Sequence, residues 1–160
     1  MIITLCGSAR YEAEYKYLME KLTLLGHVVI GLASYLSEHD GNKDWYTTAE
    51  KEVLDRIHLW KIEMSNCILV IDCHIDMENT VNVAIKKQIE GEEKPILTET
   101  HITCGASYIG VSTHNKIEHA MKLEKYVLRL SHFPLLLDLY NRAYVISHII
   151  NATSKGEALA

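Results

Sequence analysis

Short, almost wholly apolar runs alternate along this chain with longer stretches whose apolar positions recur every three or four residues. "IITLC" at 2–6, "HVVIGLA" at 27–33 and "CILVIDC" at 67–73 are the runs, and runs of that length read as buried strands. Between the first two, Tyr15, Leu18, Met19 and Leu22 predict a helix over 11–24 that stops near Gly26. Polar residues fill 34–46 and predict an exposed loop. Thr47 followed by Glu50 forms a capping box, and Val53, Leu54, Ile57, Trp60 and Met64 then make a helical stripe. Val81, Val83, Ala84, Ile85 and Ile89 suit a helix over 78–91, ended by Gly91. "KPILTETHIT" at 94–103 is extended in character, because Pro95 restricts its start and Thr and Ile dominate it. A glycine-containing loop, a helix over about 113–123, a strand "YVLRL" and an apolar helix over about 133–150 complete the pattern. Residues 152–160 read as a frayed end.

Buried strands alternating with amphipathic helices predict a doubly wound α/β domain, a parallel sheet covered on both faces, in one domain over 1–160. Such sheets bind ligands outside the carboxyl ends of their strands. Three segments then share one rim: "CGSARYE" after the first strand, "DCHID" after the third, and "GASYIGVST" before the helix that carries Lys116.

Composition narrows the picture. Apolar residues at 48% and charged residues at 23% match an ordinary globular domain, and a net charge of -5 gives no general attraction to nucleic acid or anionic membrane. No apolar run approaches the ~20 residues of a membrane span, and the chain enters its first strand without a secretory-type leader. A cytoplasmic protein with neither nucleic-acid nor membrane partner is expected. Cys6, Cys67, Cys73 and Cys104 form no C-x-x-C pair and read as buried thiols. A zinc site of Cys73, His74 and Cys104 would match no usual ligand spacing, and no metal or cofactor is expected.

Candidate chemistry sits on the rim. Gly7 and Ser8 at a strand-to-helix turn expose backbone N–H groups, and Arg10 adds a donor fork suited to phosphate; the alternative is a tight turn with a solvated arginine. Asp72 ends the most apolar strand, where it reads equally as a ribose or acid–base residue and as a turn residue. Gly110, Ser112 and Thr113 mark the start of the next helix, with Ser or Thr as its expected cap. Tyr15 and Trp60 read as core and His58 as a boundary residue. His114 and His119 lack the spacing of a helical metal pair, and His114 with Glu118 has that spacing but no third ligand. "EGEEK" at 90–94 reads as a solvated helix end.

Four segments carry a family likeness: "ITLCGSARY", "LTLLGHVVI", "EKEVLDRIHLWKIEMSNCILVID" and "YIGVSTHNKIEHAMKLEKYV". In their order and spacing the chain resembles the nucleoside 2-deoxyribosyltransferase-like family, particularly its short bacterial and phage members. The resemblance implies a flavodoxin/Rossmann-like fold and a nucleoside or nucleotide site. It implies cleavage of an N-glycosidic bond by a glutamate nucleophile, supported by an aspartate at the end of the middle strand. Gly7 and Ser8 fall in the loop that faces the sugar or its phosphate, and Asp72 falls near the aspartate. The nucleophile position, four residues before Ala120, holds Lys116. Two further departures are an insertion over about 74–104 and the apolar helix after 133.

A lysine cannot form the glycosyl ester, and its charge repels an oxocarbenium-like centre. In the first turn of a helix it also opposes the dipole, unless an anion binds there; the bland alternative is a lysine that snorkels into water. The expected function is therefore binding of a nucleotide or phosphorylated nucleoside derivative without glycosidic catalysis. Sensing or sequestration, in the phage style against a nucleotide immune signal, suits a binder of this size. Gly7, Ser8, Arg10, Asp72, Gly110, Ser112, Thr113 and Lys116 are its candidate contacts. The alternative is an active transferase or N-glycosidase with a relocated carboxylate, from Glu118, Asp76 or Glu78; Glu118 is a weak substitute because two residues of helix turn it away. A purely structural oligomer subunit is a third class. The apolar residues of 135–150 occupy more than one stripe, which predicts a homo-oligomer.

Overall fold

The computed structural model describes residues 1–42, 44–77, 81–89, 92–99, 102–103 and 107–154, with the backbone alone from 81 to 103. Four strands form the central sheet: β1 (Ile2–Gly7), β2 (Val28–Ile30), β3 (Cys67–Ile71) and, near the end of the chain, β8 (Tyr126–Arg129). They run parallel in the order β2-β1-β3-β8. That is the winding of a flavodoxin-like α/β fold, whose direction of travel reverses between β1 and β3. The helices are α1 (Glu12–Leu24), α2 (Thr48–Met64), α3 (Val111–Lys122) and α4 (Leu136–Ser154).

Strand alternation sorts the core into two layers. Ile3, Leu5, Cys67, Leu69 and Ile71 face Tyr15, Leu18 and Leu22 of α1 and Leu136, Leu139 and Ile146 of α4. Cys6, Ile68 and Val70 face Ile62 of α2 and Ala120 of α3. β3 is buried at every position, because both layers cover it. The capping box at Thr47 and Glu50 starts α2 as expected, with the Thr47 hydroxyl accepting from the Glu50 N–H at 3.3 Å. α4 fills the role expected of the final apolar helix but runs on to Ser154.

The insertion departs from expectation. Residues 81–89 are a strand, β5 (Val81–Ile89), where a helix was expected, and β5 pairs antiparallel with β6 (Glu92–Glu99). The register breaks between Val83 and Lys86. A bulge at that point interrupts the two-residue alternation begun by Val81 and Val83, so the apolar spacing imitates a helix. "EGEEK" accordingly begins a strand at Glu92 rather than ending a helix, while Glu90 and the expected stop, Gly91, lie outside the described residues. A short antiparallel pair, β4 (His74–Ile75) with β7 (Ile102–Thr103), joins this hairpin to the domain. The root is tied to α1: the Glu14 carboxylate sits 3.0 Å from the His74 ring and accepts from the Ile75 N–H at 3.3 Å.

Candidate functional site

Strand β1 ends against β3 at unusually close range. A Cβ on Gly7 would lie 2.5 Å from the Ile71 carbonyl oxygen, so only glycine fits there. The Ser8 hydroxyl then accepts from the Arg10 N–H at 3.4 Å and opens a short 3-10 turn, Ala9–Tyr11. Beside this turn is a cleft of about 240 Å³, bounded by Ala9, the segment that follows β2, the inner side of α2, and Lys116. It lies at the carboxyl-end rim where the sheet rule places ligands.

The segment expected as a plain exposed loop builds one wall. Ser34, Tyr35, His39, Asn42 and Tyr46 all line the cleft. The His39 ring stacks on Trp45 with centroids 4.6 Å apart, and its Nε2 is 3.0 Å from the Tyr46 hydroxyl, which lies 2.6 Å from the Ser34 hydroxyl. This wall is aromatic, with polar edges.

Helix α2 builds the opposite wall with its polar residues. Asp55, His58 and Lys61 recur at three-residue intervals and turn toward the cleft. The expected apolar stripe is split: Leu54 and Ile57 line the cleft, whereas Trp60, expected in the core, is 52% exposed, and Val53 and Met64 are exposed with it. His58, expected at a boundary, is buried, with its Nε2 3.4 Å from the Cys6 thiol. Burial, with the nearby Lys116 and Lys61 charges, lowers the His58 pKa to about 3. Burial raises the Cys6 thiol to about 12. The pair is therefore a neutral imidazole beside a neutral thiol, and it cannot supply a thiolate nucleophile.

Lys116 is 8% exposed and does not snorkel outward. Its ammonium lies 3.1 Å from the Asp55 carboxylate, which also accepts from the Ser112 hydroxyl at 2.9 Å. Lys61 donates to the Gly31 carbonyl at 3.0 Å. Burial and then the Lys116 charge lower its pKa. Two ammonium groups against the single Asp55 carboxylate leave this end of the cleft net positive.

The remaining rim candidates are placed differently. Helix α3 begins at Val111 with Gly110 as its cap, so Ser112 and Thr113 lie in the first turn instead of capping it; Thr113 is buried. Arg10 lies over the Tyr108 ring, 3.8 Å from the centroid, and its Nε donates to the Ser8 hydroxyl at 3.3 Å. The Arg10–Tyr108 contact joins the first rim loop to the loop before α3. Ser8 and Arg10 nevertheless stand outside the cleft that holds Lys116. Asp72 is fully buried and engaged: Arg129 donates to it at 2.9 and 3.2 Å, and the Ser131 N–H and hydroxyl donate at 2.9 and 2.6 Å. Glu118 points outward to His114, 3.3 Å away. Asp76 lies in the described chain beyond β4, and Glu78 lies outside the described residues. Cys6, Cys67 and Cys73 are buried, as expected, and none forms a disulfide; Cys104 is outside the described residues. Among the described residues no group of three or more His, Cys, Asp or Glu side chains could hold a metal ion, and no helix is long and apolar enough to cross a membrane.

Asp55, His58, Lys61, His39 and Tyr46 were not among the sequence-level site candidates. The available signal was the recurrence of Asp55, His58 and Lys61 along one side of α2, which the more conspicuous apolar stripe concealed.

Fold and cleft together define a flavodoxin-like α/β domain with a half-aromatic, half-cationic cleft at the carboxyl ends of its strands. Comparison with known protein families, with characterised proteins and with solved structures finds no match to this chain.

Proposed function

We propose that this protein binds a nucleotide or phosphorylated nucleoside and does not cleave its glycosidic bond. The observation that carries the reading is Lys116, buried at the cleft end and accompanied there by Lys61. A cationic end suits a phosphate, and the wall of Tyr35, His39 and Tyr46 suits a flat heterocycle. The cavity is slightly smaller than the ~300 Å³ at which typical small-molecule sites begin, which favours a mononucleotide over anything larger. Sensing or sequestration of a nucleotide signal is the role this reading serves.

The test is base release. Purified protein incubated with a panel of deoxynucleosides and their 5′-monophosphates is expected to liberate no free base by chromatography, while the monophosphates bind by calorimetry. One observation favours the second reading, an N-glycosidase with a relocated carboxylate: the Asp55 carboxylate lies 3.1 Å from the Lys116 ammonium, at the cleft. Base release that disappears in Asp55→Asn would establish that reading and sink the first.

We also propose self-association. Tyr144, Val145 and Ile149 on α4 are exposed, and Val53, Trp60 and Met64 form a second exposed apolar stripe on α2. Exposed apolar residues recurring along a helix are candidates for an interface, and a symmetric homodimer would bury one such face on both copies. Light scattering at micromolar concentration is expected to give at least twice the 18.2 kDa chain mass. Trp60→Glu or Tyr144→Glu should return the monomer, according to which face is used. A wild-type mass equal to the chain would refute self-association.

A further inference from the structure

The polar groups of the cleft are not equivalent. Lys116 has a carboxylate partner, and His58 is held neutral beside a protonated thiol. Lys61 stands apart from both. Among the described residues no carboxylate lies within ion-pair distance of it, and its hydrogen bond goes to a neutral backbone carbonyl, Gly31 O, at 3.0 Å. Half-buried itself, it lines the cleft together with the half-buried Leu54 and Ile57 and with the second ammonium of Lys116. An amine in a partly dry pocket, next to another cation and lacking a counter-ion, is the arrangement that makes lysine a nucleophile toward carbonyl groups. Burial and then the Lys116 charge act in that direction on its pKa, so more of it is the free amine at a given pH than for an exposed lysine.

We infer that Lys61 is an imine-forming residue whose partner is a small aldehyde or ketone carrying an anionic group, such as an open-chain sugar phosphate. The Lys61 nitrogen lone pair attacks the carbonyl carbon and gives a carbinolamine. Loss of one water then leaves the C=N bond; no oxidant or reductant takes part, and hydrolysis reverses the step. Lys116 receives the anionic group, and its charge favours the free amine over the ammonium form of Lys61. Asp55, 3.1 Å from Lys116, limits the positive charge that this pairing builds up. The inference goes beyond nucleotide binding: it names a covalent step and a second ligand class for the same cleft.

The probes are glycolaldehyde phosphate and glycolaldehyde, each at substoichiometric concentration, with cyanoborohydride to reduce the imine to a stable amine. Intact-mass and peptide analysis then locate the label. With the phosphorylated probe, a single adduct on the Lys61 peptide is expected, forming ahead of any on the exposed Lys16 and Lys51. Its yield should begin to rise at lower pH than theirs, and the unphosphorylated probe should label Lys61 more slowly. Lys61→Arg keeps the positive charge and is expected to abolish the adduct. Lys116→Gln removes the neighbouring cation, so labelling of Lys61 should need higher pH. Label spread evenly over the exposed lysines, or an unchanged adduct in Lys61→Arg, overturns the inference. If the wild type prefers a nucleoside monophosphate to its nucleoside yet forms no adduct, nucleotide binding survives and the imine does not.

Discussion

Asp72→Ala should destabilise the domain by about 3 kcal/mol, the lower end of the range for breaking a buried charge pair by removing one partner. The carboxylate is wholly buried at the end of β3 and receives donors from the last residue of β8, the Arg129 guanidinium, and from just beyond it, the N–H and hydroxyl of Ser131. Removing it deletes the acceptor of two half-buried Ser131 hydrogen bonds. Arg129 is about one-third exposed, so water compensates part of its loss, which is why the lower figure applies. Ser131→Ala, which removes only the hydroxyl donor, should cost about 1–2 kcal/mol. Urea denaturation followed by circular dichroism reads both values as shifts in midpoint. A loss below about 1 kcal/mol for Asp72→Ala would show that the network is not holding β3 to β8. The same variants also separate two roles for this residue. If Asp72→Asn folds and binds nucleotide with unchanged affinity, Asp72 is a strut at the rim and not a contact.

That strut illustrates what the sequence could and could not convey. β1, α1, β3 and the capping box of α2 were legible because local pattern and tertiary role agree: Tyr15, Leu18 and Leu22 recur at helical spacing and are the apolar residues that α1 buries. The position of Asp72 at a strand end was legible too. Its partners were not, because Arg129 and Ser131 are nearly sixty residues away and nothing local to either announces the pairing. Helix α2 misled for a different reason. Its apolar stripe predicts a buried face, yet Val53, Trp60 and Met64 face outward, while Asp55, His58 and Lys61 turn inward over the cleft. Leu54 and Ile57 of that stripe do line the cleft, among the polar residues, so the stripe spans both sides, and periodicity reports only the period, not which side is covered. The β5 strand misled because its bulge broke the alternation that would have marked it. Lys116 stood out in the sequence as a lysine where a helix dipole disfavours one. Its counter-ion, Asp55, was hidden 61 residues earlier on another helix.

Phosphorylated nucleosides should bind more tightly than their unphosphorylated parents, and that preference should fall by ~1–3 kcal/mol, roughly 5- to 150-fold, in Lys61→Ala and in Lys116→Ala, the range for hydrogen bonds to charged groups. Both ammonium groups line the cleft, and each is close enough to affect its neighbours' protonation. Lys116→Ala frees Asp55, which is largely exposed, so the variant should fold normally and its loss of affinity can be read as a site effect. The wild-type preference should weaken as ionic strength rises, since screening shortens the reach of partly exposed charges. Arg10→Ala supplies the contrast. Its guanidinium rests on Tyr108 outside the cleft, so the phosphate preference should change by less than about 0.5 kcal/mol. A double-mutant cycle between Lys61 and Lys116 should then show coupling through the shared anion, and one between Arg10 and Lys116 should be additive. Calorimetric titration at two salt concentrations measures every one of these quantities. Coupling of Arg10 with Lys116 would move the phosphate out of the cleft to the Ser8 turn and the start of α3. Equal affinity for the two ligand forms would remove the anion from the site altogether and leave Lys116 as a structural tie between α2 and α3.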